Sequence, residues 1–210
     1  MPAKPPSATR LRRQLEGAVP PSRSSPVDAL ALAKKKFLNK QHIDLQTLAA
    51  ELQISRATLY RWVGSHEQLL GEVFSSLAER AWAYARKSRK RAGIGYTAAT
   101  IHRFLDVLHE SDALQHFLSE DPEYALQVLT SKHSRVQARV TALFRELLQQ
   151  QAAAGKLMLP QDLDTLAYAL VRIGESFLYN DFITGGKPDL DKAETIIRAL
   201  LSAPWDDLRL

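Results

Sequence analysis

The residues best equipped for chemistry lie close together: Ser55, Arg56, Thr58, Tyr60 and Arg61. Hydroxyls and guanidinium forks are the groups that bond phosphate oxygens and base edges. On one helix these five share the outer side when Leu59 and Val63 face inward. Thr47, Trp62 and His66 flank them. The eight residues together form the set expected to touch double-stranded DNA.

Other chemistries find less support. His102, His109 and His116 recur every seven residues. Metal-binding pairs on a helix are spaced three or four apart, whereas seven residues span two turns, roughly 10 Å. No HExxH, no Gly-x-Ser-x-Gly and no phosphate-cradling glycine loop occurs. The chain has no cysteine, which rules out thiolate metal sites and cysteine nucleophiles and fits a reducing cytoplasm. We therefore expect no catalytic residue, metal or cofactor. An acid–base pair such as Asp121 or Glu175 with His116 is the alternative an enzyme would need.

The elements that must position the first set are short. Leu45, Leu48, Ala49 and Leu52 give one apolar stripe behind an Asp44 N-cap. Ser55 caps the next helix, so a helix-turn-helix is expected across 44–63. Gln53 occupies the turn where many such motifs carry Gly. Spacing alone therefore also fits an ordinary helical hairpin. A first helix is predicted over 27–40, with Leu30, Ala33, Phe37 and Leu38 buried. A fourth is predicted from a Ser65/Gln68 capping box to about Arg91, through Leu69, Val73, Leu77, Ala81 and Tyr84.

The order Leu-Ala-Ala, Ile54-Ser55, Thr58-Leu59-Tyr60, Val63, Ser65, Glu67, Leu69-Leu70 resembles the N-terminal domain of the TetR family of transcriptional repressors, over residues 27 to 75. The resemblance implies DNA contacts for Thr58, Tyr60 and Arg61. His66 departs from it, because a phosphate-holding Lys is usual there. A neutral imidazole near pH 7 weakens that one contact. The stretch Leu170–Ala199 also resembles the TetR-type repressors that control quorum-signal lactone degradation.

Charge is uneven along the chain. Residues 1–63 hold 11 Lys and Arg against 4 Asp and Glu, a net of +7, and the rest hold 17 against 19, a net of −2. A basic front end suits a polyanion partner. Residues 1–26 contain six of the ten prolines and read as a flexible basic arm, in which Arg10, Arg12 and Arg13 could reach a minor groove. A solvated tail or a transit peptide is the competing reading of this arm.

The expected organisation is all-α: the arm at 1–26, a DNA-binding domain at 27–72, and a helical ligand-binding and dimerisation body at 73–210. Helices are predicted over 97–110, 112–118, 123–129, 134–154, 162–183 and 189–201. No apolar run approaches the ~18 residues of a membrane span. Residues 162–183 are apolar on more than one side, which points to burial against something beyond their own core. The family resemblance implies a dimeric four-helix bundle from the last two long helices, with Gly174 permitting close approach. A central core helix is the simpler alternative.

A small-molecule pocket needs apolar walls and a few polar anchors. Phe104, Leu108, Phe117, Tyr124, Phe144 and Tyr168 are the expected walls, and Arg172 and Glu175 the expected anchors. Most aromatic residues at helical spacing are plain core, and Arg172 and Glu175 could simply pair with each other. The function expected is a dimeric, ligand-responsive repressor on a palindromic operator, with a small, largely apolar or amphipathic effector such as an acyl lactone. A non-specific DNA-binding protein and a helical lipid carrier or enzyme are the alternatives.

Overall fold

The computed structural model describes residues 24–87, 92–131, 135–159 and 162–204. All regular structure among them is helical. The expected arm, with Arg10, Arg12 and Arg13, lies outside the described residues. The chain divides into two compact units between Phe74 and Ser75.

The first unit begins at α1 (Pro26–Leu38). Ser25 and Asp28 form a capping box, Ser25 N–H donating to Asp28 at 2.8 Å and Asp28 N–H to Ser25 Oγ at 3.2 Å, and Pro26 takes the first helical position, where its missing N–H costs nothing. Leu30, Ala33 and Phe37 are buried, but Leu38 is exposed, one step of 100° round from Phe37 at the helix end. Helices α2 (Leu45–Glu51) and α3 (Arg56–Val63) pack on each other and on α1. Asp44 caps α2 by accepting from Thr47 N–H at 2.7 Å.

The α2–α3 turn is a Schellman motif. Gln53 N–H donates to Ala50 O and Ile54 N–H to Ala49 O, with Gln53 left-handed at φ 55°. The position many such motifs give to Gly therefore has a glycine-like backbone here, held by a glutamine. Lys40, at φ 56°, ends α1 in the same way. Leu48 of α2 and Leu59 of α3 are fully buried, and Phe37 meets Phe74 edge-on at 5.0 Å. The capping box expected at the start of α4 (His66–Ala85) is present, Ser65 N–H to Gln68 at 2.9 Å and Gln68 N–H to Ser65 Oγ at 3.2 Å.

Helix α4 departs from its predicted stripe at two positions. Tyr84 is 59% exposed and Leu77 only half-buried, whereas Phe74, Ala78, Trp82 and Ala85 are buried. Leu69, Val73 and Ala81 of the predicted stripe are buried as expected, so the departure is confined to positions 77 and 84.

The second unit continues with α5 (Ile94–His109), α6 (Asp112–Glu120), α7 (Pro122–Thr130), α8 (Val136–Ala153), α9 (Leu163–Leu178), α10 (Asn180–Thr184) and α11 (Leu190–Leu201). Helix α9 packs along α8 and against α5 and α11, and α5 packs along α11. Gly155 closes α8 at φ 65°, where an L side chain is strained.

The single helix expected over 162–183 is two. Buried Tyr179 separates α9 from α10, and Asn180 then ties the following turn, accepting from Thr184 Oγ1 at 2.7 Å and donating to Lys187 O at 3.2 Å. Gly174 also differs from expectation: it faces Leu105 of α5 in the same chain, and a Cβ there would lie 3.1 Å from Leu105 Cδ2.

Candidate DNA-reading surface and effector-binding body

Helix α3 sorts its residues by face. Leu59, Trp62 and Val63 are buried, and Ser55, Arg56, Tyr60 and Arg61 are exposed, with Thr58 half-buried. Tyr60 is 45% exposed although it is a large aromatic residue, which puts its phenol outward. Ser55 Oγ accepts from Thr58 N–H at 3.1 Å and lies 2.9 Å from Thr58 Oγ1, so the cap also links the first two outward hydroxyls. Thr47 is exposed at the start of α2 and gives its hydroxyl hydrogen to Asp44 at 2.9 Å. Those bonds from Thr47 hold the Asp44 carboxyl below its ordinary range.

Two members of the expected DNA-binding set stand differently. Trp62 is 3% exposed and belongs to the apolar clamp, so it cannot present its ring to DNA. At 100° per residue, Trp62 and Val63 lie on either side of Leu59, so all three share the inner face. His66 Nε2 donates to Ile43 O at 2.7 Å. That bond ties the start of α4 to the loop before α2, and Nε2 is committed to it rather than to phosphate.

The residues expected to line a pocket differ in their settings. Phe104 and Phe144 are fully buried and form an aromatic cluster with Trp82, which stacks on Phe144 at 5.1 Å and meets Phe104 edge-on at 5.5 Å. Phe117 and Tyr124 meet each other at 6.3 Å between α6 and α7, and Leu108 is half-buried on α5. Tyr168 is 52% exposed, which takes it out of the interior wall of this chain. Residues 164, 165, 168, 172 and 176 make up the outer stripe of α9, and position 168 falls on it.

Arg172 donates to Glu175 at 2.6 Å, as their spacing allowed. Gln137 of α8 joins them: with its amide turned to satisfy both ends, the oxygen accepts from Arg172 at 2.9 Å and the nitrogen donates to Thr130 O at 3.2 Å. Burial pushes the Glu175 carboxyl up, and Arg172 only partly offsets it. Burial, with Glu175 nearby, raises the Tyr179 phenol further. This network binds α8 to α9 and is first of all structural.

The histidines go separate ways. His102 lies between Asp106 at 3.0 Å and Asp191 at 3.1 Å, and His116 faces Glu120 at 3.4 Å. His109 Nδ1 is buried and has no hydrogen-bond partner among the described residues. Sequence reasoning passed over Trp82; the sign available was a large aromatic residue between Ala81 and Ala85 on a helix with an apolar stripe.

The tetracyclin repressor-like C-terminal domain family matches residues 92–202, more than half of the 210-residue chain. The chain belongs to the TetR family of transcriptional repressors. Members of this family are DNA-binding regulators rather than enzymes. The TetR-family chain is similar to the R. erythropolis transcriptional repressor QsdR, with a TM-score of 0.80 and 28% identity over 85% of this chain and 94% of that one. It shares its fold with AlkX from Dietzia sp. strain DQ12-45-1b, a TetR-family repressor implicated in biodegradation of n-alkanes, at a TM-score of 0.59 and 20% identity, covering 86% and 96% of the two chains. No curated protein matches it. Among the described residues, no helix of this TetR-family protein is long and apolar enough to cross a membrane.

Proposed function

We propose that this TetR-family chain is a ligand-responsive repressor that binds a palindromic operator as a homodimer and is released by a small, largely apolar effector of the acyl-lactone type. The observation that carries the reading is α3, with Tyr60 and Arg61 turned outward over a buried Leu59–Trp62–Val63 clamp. Residues 27–72 are the reader and 73–210 the effector-binding and dimerising body. In this reading Ser55, Arg56, Thr58, Tyr60 and Arg61, together with Thr47, meet the phosphates and base edges of a major groove.

A dimer through α9 and α11 is supported by apolar side chains left uncovered there, Tyr168 and Ile196. The effector assignment is supported by the Trp82–Phe104–Phe144 cluster in the body and by the likeness to QsdR. An effector loosens operator binding by its differential affinity for the two states, commonly about 1–3 kcal/mol.

Selection of bound fragments from genomic DNA, followed by footprinting, should yield a two-fold symmetric site with half-sites on one face of the duplex. Sedimentation should show a dimer at micromolar concentration, converted to monomer by Ile196→Glu. Release of the operator by acyl lactones should strengthen with chain length, at most ~0.8 kcal/mol per CH₂, until the site is full. Equal affinity for all duplexes, with a purely salt-governed slope, would reduce the protein to a non-specific DNA binder.

A further inference from the structure

We propose that Trp82 Nε1 is the hydrogen-bond donor that receives a neutral oxygen acceptor on the effector. The proposal rests on the reading that the body takes an effector, and adds which protein atom and which functional group meet.

Trp82 is 3% exposed, held between the face of Phe144 at 5.1 Å and Phe104 at 5.5 Å. Its Nε1 is buried with no hydrogen-bond partner among the described residues. An indole nitrogen is a donor only, and a buried donor left unmade costs its desolvation in full. Such groups are rare in folded proteins, and each one calls for an explanation. A second lies on the same helix face two turns earlier: Ser75 Oγ is likewise buried without a partner, and buried Ala78 lies between them. Aromatic packing could have been supplied by Phe, which carries no polar atom to strand.

A lone donor selects an acceptor. An ammonium group would bring further donors to a donor, and a carboxylate would be desolvated against two uncharged rings. An ester, lactone, ketone or amide oxygen meets the requirement without a buried charge. The alkyl part of such a molecule then lies against Phe104 and Phe144.

The test uses the full chain, γ-dodecalactone, and octylcyclopentane as a probe of similar shape lacking oxygen. Trp82→Phe should weaken the lactone by about three- to tenfold, the range of one hydrogen bond, and leave octylcyclopentane unchanged. In the wild-type protein, the Trp82 indole N–H proton resonance should move downfield with the lactone and stay put with the hydrocarbon. It is assigned by elimination with Trp62→Phe and Trp205→Phe, so this readout survives even if Trp82→Phe fails to fold. Equal weakening of both probes, or an unmoved resonance with lactone bound, overturns the proposal. If the lactone still releases operator DNA in that case, the effector reading stands without this anchor. If the lactone neither binds nor releases DNA, both fall.

Discussion

Gly174 packs against Leu105 so closely that a Cβ would stand 3.1 Å from Leu105 Cδ2 and 3.3 Å from Cδ1. The close approach joins α9 to α5 inside one chain. Gly174→Arg should therefore abolish folding or lower the melting temperature sharply, because a charged side chain is driven into a core. Circular dichroism melts and soluble yield check this. A well-folded monomer would return Gly174 to the dimer interface.

Gln53 carries the left-handed backbone of the reader turn. An L side chain in that region costs about 1–2 kcal/mol, and Gly loses about 0.4–1 kcal/mol through its freer unfolded chain. Gln53→Gly should leave stability equal or raise it by up to about 1.6 kcal/mol, read by denaturant titration. Gln53→Val should lower it.

Leu59 is fully buried between α2 and α3. Leu59→Ala should cost about 2–5 kcal/mol in stability, the usual range for such a truncation. DNA binding should fall in step with folding, so that affinity corrected for the folded fraction is near wild type. Wild-type melting with lost binding would mean that the helix faces the other way.

Tyr60 makes the opposite prediction. Its exposed ring contributes little to the core, so Tyr60→Phe should melt like wild type. Operator affinity should drop by about 1 kcal/mol, one typical hydrogen bond. Gel-shift titration at fixed salt measures it, and unchanged affinity would strike Tyr60 from the contacts.

Glu175 should be legible in the pH dependence of stability. Its folded pKa is raised, first by burial, above its ordinary 4.5. Between the unfolded and folded values the native state binds more protons than the unfolded one, so unfolding free energy falls as pH rises through that window. Glu175→Gln should flatten this slope and be relatively more stable above the window. A steeper slope in the variant would mean that the Arg172 bond outweighs burial.

Helical class, the α2–α3 hairpin and its caps can be read from the chain alone. Asp44, Ser55 and the Ser65/Gln68 box were legible because caps and 3.6-residue stripes are local: they involve atoms three or four residues apart. The outward placing of Ser55, Arg56, Tyr60 and Arg61 on α3 was legible as well, whereas the ring type of buried Trp62 says nothing of the face it takes. Tertiary structure alone decided the rest. Gly174 meets Leu105 sixty-nine positions away, and His66 spends Nε2 on Ile43. Trp82 is enclosed by rings from two other helices, while Tyr168, equally apolar in sequence, is left outside. Periodicity tells how a helix divides its own surface. Which neighbour covers each part depends on packing between segments far apart in the chain, and no local pattern carries that information.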